Sequence, residues 1–308
     1  MRLVFMGTPD FAVPSLRTLH EAGYDIAAVV TAPDRKRGRG QQLSATPVKR
    51  YAVEHDIPVL QPESLKDPAF EAELRALGAD CFVIVAFRIL PEAVFSIPPH
   101  GSFNLHASLL PRYRGAAPIN RALMEGVRET GVTTFFLKRK VDTGGILLQE
   151  SVPVHGDMTA GELHDILADL GADVVLRTVR LIEEGEAEPR AQDDSAATPA
   201  PKIFREDCAI PWEKTAREVH DHIRGLSPYP AAWTMRGGRQ LQVLRSRIAE
   251  EDSSGTPGSV LSAVDVIRVQ CGRGSIDILE LKPEGKKAMT AEEYLRGHRI
   301  ETGEMLIP

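Results

Sequence analysis

Asp80-Cys81-Phe82-Val83-Ile84-Val85-Ala86 sets one acid in front of an unbroken apolar run. A strand with one face in water alternates apolar and polar residues, and a strand covered on both faces does not need to. The stretch therefore reads as a central strand of a parallel sheet with helices on both sides. Working outward, Leu3 to Met6 and Ile26 to Thr31 are short apolar strands before it, and Ser102 to Ser108, Val132 to Leu137 and Ile146 to Val154 are strands after it. Between them lie amphipathic stretches. Asp10 to Ala22 predicts a helix with Phe11, Leu16 and Leu19 among its apolar positions, and Thr46 to His55 one with Thr46 as cap and Pro47 in the first turn. Alternation of this kind predicts an α/β fold built on a doubly wound, mostly parallel, Rossmann-like sheet.

A long helix is expected from Thr159 to Glu184, after which the composition changes. Glu186 to Pro201 mixes Pro189, Pro199 and Pro201 with Ala, Asp and Ser and offers little to bury, so it reads as a linker. Beyond a helix from Pro211 to Arg224, short alternating strands over 240–248, 258–261, 266–271 and 275–281 suggest a small OB-like β-barrel. The division expected is a catalytic domain over 1–188, a linker over 189–204 and a β-barrel domain over 205–308. A chain of 308 residues is long enough for two such domains.

The formal net charge of -6 gives no global attraction to nucleic acid, so such a contact would need a local basic patch. Cys81, Cys208 and Cys271 lie far apart, with neither a disulfide framework nor a metal-ligand spacing, which suits a reducing cytosol. No targeting segment is read at the start, and no apolar stretch reaches the roughly 18 residues of a membrane helix. Gly7-Thr8-Pro9 follows the first strand, but G-x-G-x-x-G is absent and a P-loop is absent, which argues against a dinucleotide or nucleoside triphosphate site. His220-Asp221-His222 sits at i, i+2 on a helix, facing different sides, and reads as surface rather than as a metal site.

Chemistry is concentrated in Ser102-Phe103-Asn104-Leu105-His106-Ala107-Ser108-Leu109-Leu110-Pro111. Residues two apart on a strand share a face, so Asn104 and His106 project together near the carboxyl end, where open α/β sheets bind ligands. An amide beside an imidazole suits an acyl oxygen becoming an oxyanion. Asp142, in Val141-Asp142-Thr143-Gly144-Gly145, could hold the imidazole's tautomer and help take a proton from an attacking amine. Taken singly, each of the three reads more readily as a structural, strand-end or turn residue, and the strand spacing is what raises the Asn104–His106 pair.

Asn104-Leu105-His106 running into Ser108-Leu109-Leu110-Pro111-Arg112-Tyr113-Arg114-Gly115-Ala116-Ala117-Pro118-Ile119 resembles the signature of the methionyl-tRNA formyltransferase family, within the folate-dependent formyltransferases. So do Asp142-Thr143-Gly144-Gly145-Ile146-Leu147, the opening Phe5 to Pro14, Arg35-Lys36-Arg37-Gly38-Arg39-Gly40, and Ile223 to Pro230. The resemblance implies that Asn104, His106 and Asp142 are the catalytic triad. It implies that the backbone of Ala86, Phe87, Arg88, Ile89 and Leu90 cradles the pterin, and that Ser108, Leu109, Leu110 and Pro111 line the folate site. It also implies 10-formyltetrahydrofolate as co-substrate with no metal, initiator methionyl-tRNA as acceptor, and a cytoplasmic, monomeric enzyme without a membrane partner. The basic loop, with Arg35, Lys36, Arg37 and Arg39, follows the second strand at the same sheet edge as the triad and is expected to contact tRNA. Departures from the family pattern are Phe87-Arg88 in place of Tyr-Gly, Ala107 in place of Gly, and Leu137 in place of Met. The alternatives are a formyltransferase for a small amine, such as an amino-sugar nucleotide or glycinamide ribonucleotide, and a non-catalytic RNA-binding relative.

Overall fold

The computed structural model describes residues 1–37 and 42–307. Two compact units form. One contains residues 1–115, 131–152 and 164–199, and the other residues 116–130, 153–163 and 200–308. The expected linker over 189–204 spans the last crossing between them, at 199/200. Two earlier excursions, 116–130 and 153–163, are not described by a single boundary.

The elements of the first half begin with β1 (Arg2–Gly7), α1 (Val13–Glu21), β2 (Asp25–Val30), a hairpin of β3 (Arg35–Arg37) and β4 (Gln42–Ser44), and α2 (Pro47–Glu54). Next come β5 (Val59–Leu60), α3 (Pro68–Ala76), β6 (Cys81–Val85), α4 (Glu92–Phe95), β7 (Ser102–His106), the two-residue β8 (Arg114–Gly115) and α5 (Pro118–Met124). β9 (Glu129–Phe136), β10 (Ile146–Pro153), α6 (Ala160–Glu184) and the two-residue β11 (Pro199–Ala200) follow. The helix expected over Asp10 to Ala22 is a 3-10 turn, Asp10–Ala12, leading into α1.

The seven-stranded sheet runs β10-β9-β7-β6-β1-β2-β5. From β7 to β5 its neighbours are parallel, and all five residues of β6 are buried, as the apolar run over 81–85 requires. β9 pairs with β7 antiparallel, so the sheet is mixed at that side. The chain leaves β1 toward β2 and β5 and returns to β6 on the other side of β1, which makes the β1/β6 junction the topological switch point. Among the described residues no helix is long and apolar enough to cross a membrane.

The second unit holds α7 (Ala216–Leu226), β12 (Ala232–Arg236), β13 (Arg239–Glu250), β14 (Val260–Ala263), β15 (Ile267–Gln270), β16 (Ser275–Pro283), β17 (Met289–Thr290) and α8 (Ala291–Gly297). The helix expected from Pro211 begins later because Thr215 and Glu218 form a reciprocal capping box that fixes its start. The sheet order is β12-β13-β16-β15-β14 with antiparallel neighbours, packed over Trp212, Val219, Ile223 and Leu226. This is the small β-rich domain expected from the alternating strands. Its two edge regions are joined by one segment: Ile307 exchanges backbone hydrogen bonds with Met235 of β12, and Met305 bridges Ser259 beside β14.

Unlike the surface expected for them, His220, Asp221 and His222 are all buried. Residues 153–163 cover that side of α7. His220 Nε2 donates to the Gly156 carbonyl (3.0 Å), and Arg224 Nη1 reaches the carbonyls of His155 and Met158. Asp221 closes on Arg224 Nε at 2.6 Å. Gly126, at φ +69, lets its turn approach: a Cβ there would come within 2.6 Å of Asp221 Oδ2.

Candidate active site

β7 is held from both sides. Ile84 and Phe135 are the register partners of Asn104, and Thr133 is that of His106. The side chains of Asn104 and His106 share a face, as strand spacing requires. His106 is 6% exposed, and its Nε2 lies 2.8 Å from the Tyr113 carbonyl oxygen. A carbonyl only accepts, so Nε2 carries the proton and the neutral ring presents Nδ1 as its lone pair. Nδ1 faces Asp142 Oδ2 at 4.0 Å, longer than a hydrogen bond. Asp142 Oδ2 accepts the Gly115 backbone N–H (2.9 Å). The Asn104 amide is half-buried and has no hydrogen-bond partner among the described residues. The structure thus brings His106 and Asp142 together with their mutually facing atoms not yet bonded, beside a free amide.

The loops around this group are tied down. Tyr113 (φ +60) and Asp142 (φ +55) are both left-handed, a conformation that non-glycine residues hold only when their surroundings fix it. Thr133 Oγ1 donates to the Ser108 carbonyl (2.6 Å) and accepts from Leu110 N–H (3.1 Å), and Gln149 Nε2 donates to the Leu110 carbonyl (2.8 Å). Gln192 Nε2 donates to the carbonyls of Asp142 (3.0 Å) and Gly144 (2.8 Å), while its own oxygen accepts from Arg114. The Pro/Ala/Asp stretch read as having little to bury is, in its first part, a strap that fixes the loop carrying Asp142. Tyr113, Gly115, Gln149 and Gln192 had no assigned role in the sequence reading. Tyr113, Arg114 and Gly115 lay inside the quoted motif, which was the only signal for them.

Of the residues expected at the folate site, Ser108 and Leu110 are buried, and Ser108 Oγ donates to the Arg112 carbonyl (2.6 Å). Leu109 and Pro111 are half-buried, so the 108–111 segment offers a ligand these two side chains and backbone. Ala86 is left-handed (φ +48) and exposed, Leu90 is buried, and Ile89 stands 76% exposed. Arg88, which could have projected as a long cation, turns onto the carbonyls of Pro62 (2.9 Å) and Glu63 (3.1 Å) and lies over the Phe87 ring. Burial, with Arg35 nearby, pulls its pKa below the ordinary arginine value.

An open cleft of about 360 Å³ lies at the switch point, lined by Thr8, Pro9, Pro33, Arg35, Phe87 and Arg88 among others. Arg35 opens the β3–β4 hairpin on its rim, and the backbone of Lys36 and Arg37 pairs with Leu43 and Gln42. Arg39 lies outside the described residues. The hairpin's root is clamped: Lys49 Nζ donates to Asp34 (2.6 Å) and Gln61 (2.7 Å), and Gln61 Nε2 donates to Asp34 (2.9 Å) and the Ala32 carbonyl (2.8 Å). These bonds hold the Asp34 carboxyl below its usual range.

A protein-family profile described as formyl transferase matches residues 1–179, and the formyl transferase C-terminal domain matches residues 202–299. A methionyl-tRNA formyltransferase of Caldanaerobacter subterraneus subsp. tengcongensis is 46% identical over 99% of this chain and 100% of its own length. One from Chlorobium luteolum is 49% identical over 99% of both. Among solved structures, an N-formyltransferase from Helicobacter canadensis, in complex with folinic acid and dTDP-3-aminofucose, is similar with a TM-score of 0.70 at 21% identity, covering 90% of this chain and 98% of that one. At that identity the likeness bears on the fold.

Proposed function

The chain belongs to the formyl transferase family, among the methionyl-tRNA formyltransferases, and from that premise we propose the chemistry its residues carry out. It transfers the formyl group of 10-formyltetrahydrofolate to the α-amino group of methionine on methionyl-tRNA, giving N-formylmethionyl-tRNA for translation initiation. The observation that carries the assignment is identity of 44–49% along nearly the whole chain, across both units, with enzymes of that name. Initiator methionyl-tRNA is the acceptor, and the enzyme works as a cytoplasmic monomer.

Asn104, His106 and Asp142 act on the reacting atoms. Tyr113 holds the imidazole through Nε2, so when His106 is protonated its Nδ1–H is the donor left for the substrate. Together with the free Asn104 amide it stabilises the oxyanion that forms as the amine attacks the formyl carbon. Asp142, fixed by the Gly115 N–H and the Gln192 strap, accepts the proton that the amine sheds and returns it to the departing N10 nitrogen. One C–N bond forms, one breaks, and the proton moves from the old amine to the new one. The residues present fit a flat heterocycle. Ala86 to Leu90 supplies backbone groups at a strand end, and Ile89, Leu109 and Pro111 supply apolar surface. The basic segment, with Arg35, Lys36 and Arg37 and with Arg39 outside the described residues, meets tRNA phosphates.

Incubating the purified chain with 10-formyltetrahydrofolate and charged initiator or elongator methionyl-tRNA tests the assignment. Formylation of the initiator form is expected. Turnover of an amino-sugar nucleotide or glycinamide ribonucleotide without turnover of methionyl-tRNA would overturn it.

A further inference from the structure

The 308 residues contain two runs of three consecutive cations, Arg35-Lys36-Arg37 and Lys138-Arg139-Lys140. The second has no part in the reaction as derived above. Its three side chains are exposed, and among the described residues none of them forms an ion pair. Several exposed arginines elsewhere, though not all, are neutralised locally: Arg75 by Glu71 and Arg177 by Glu150 at 2.7 Å, Arg217 by Glu251 at 2.8 Å, and Arg296 by Glu292 at 2.7 Å. One acid that feels Lys140 is Asp194, and its carboxylate is already taken by Arg114 at 2.6 Å. In a chain of net charge -6, three adjacent unpaired cations are an uncompensated local field.

Place and rigidity add to charge. The run sits in the β9–β10 connection and ends two residues before Asp142. Thr143 Oγ1 donates to the Lys140 carbonyl (2.8 Å), and Gln192 holds the carbonyls of Asp142 and Gly144. The cations therefore project from a backbone fixed at the active-site acid. Three exposed positions in succession face outward and suit a row of phosphates along a strand. A single small anion would call for a concave pocket instead.

We propose that Lys138-Arg139-Lys140 is a second contact for the phosphodiester backbone of methionyl-tRNA, holding the acceptor arm on the Asp142 side of the site. It rests on the substrate assigned above. Phosphate contacts position a nucleic acid without reading its sequence, so this run aims the acceptor end and does not select the initiator. The test is the triple variant Lys138→Ala/Arg139→Ala/Lys140→Ala, with methionyl-tRNA affinity measured across a salt series and 10-formyltetrahydrofolate affinity measured alongside. At about 0.15 M salt, tRNA affinity should fall roughly 10- to 100-fold, and the slope of log affinity against log salt should flatten by about 0.7–0.9 per lost phosphate. Lys138→Arg/Lys140→Arg keeps the charge and should bind as the unaltered chain does. An unchanged tRNA affinity and slope overturns the proposal. So does an equal loss in the charge-preserving variant, or a loss of folate affinity that matches the loss for tRNA. If the unaltered chain neither binds nor formylates methionyl-tRNA, the assigned substrate has failed, and this contact fails with it.

Discussion

Two clusters in this molecule use the same residue types to opposite ends. On α7, His220 bonds through both ring nitrogens, to Ser246 and Gly156, and Asp221 closes on Arg224 at 2.6 Å. At the end of β7, His106 and Asp142 are each held by one backbone group and lie 4.0 Å apart, beside an amide with no partner among the described residues. The first cluster has few hydrogen-bond positions left for a ligand. The second keeps an Nδ1, a carboxylate oxygen and an NH2 in hand, oriented by neighbours but unspent. A buried histidine and aspartate side by side are therefore no evidence of a site by themselves. The evidence is several unfilled positions turned toward one another, and the single unfilled Nε2 of His222 on α7 does not amount to that.

The contrast can be broken by mutation. Asp142→Asn keeps the shape and removes the proposed proton acceptor, so turnover should fall by about 10³–10⁴ with little change in stability. Retained turnover at saturating substrates would make Asp142 a turn residue. Asp221→Ala should do the reverse. It leaves Arg224 charged and buried without its partner, which should cost roughly 3–5 kcal/mol in urea unfolding while the folded fraction keeps its turnover. A normal unfolding midpoint in that variant would erase the distinction between the two clusters.

His222, next in the same helix turn, sharpens the point with pH. Burial pushes its pKa down to about 4. An unfolded histidine titrates near 6.5, so between those values the unfolded chain binds the extra proton and stability rises with pH. Its contribution is present above about 6.5 and lost as pH falls through 4, amounting to up to about 3 kcal/mol. Unfolding free energies between pH 7 and pH 4 should fall more steeply in the unaltered chain than in His222→Leu. Parallel curves would mean that the ring is not held neutral. The smallest effect belongs to the strap. Gln192→Ala removes two hydrogen bonds to the Asp142 loop, and turnover should fall about 10-fold without a change in folate affinity. Unaltered turnover would show that the left-handed Asp142 holds itself in place.

What could be read in the sequence follows from what side chains announce. The apolar run over 81–85 and the Asn104–His106 spacing are local patterns, and both elements stand where those patterns put them. That β9 runs antiparallel to β7 carries no such mark, because direction is set by where the chain goes and not by which residues it holds. The partners of the proposed triad were hidden for a related reason. His106 is held by the carbonyl of Tyr113 and Asp142 by the N–H of Gly115, and backbone groups are the same at every residue. His220 is buried against Gly156 and Asp221 against Gly126, both more than fifty positions upstream, so no window around α7 could reveal their burial. The clamp at Asp34, Lys49 and Gln61 likewise joins three segments that only the fold brings together.

The segment through Met305 and Ile307 touches both margins of the antiparallel sheet, at Ser259 and at Met235. An uncovered margin is a template on which another chain can lay its own strand. Here a few residues occupy both templates together, so neither the β12 side nor the β14 side can easily recruit a neighbour. Losing those few residues would do more than shorten a tail. It would unseal two surfaces in one step, and the expected symptom would be self-association in solution, with the chemistry proposed at His106 left intact.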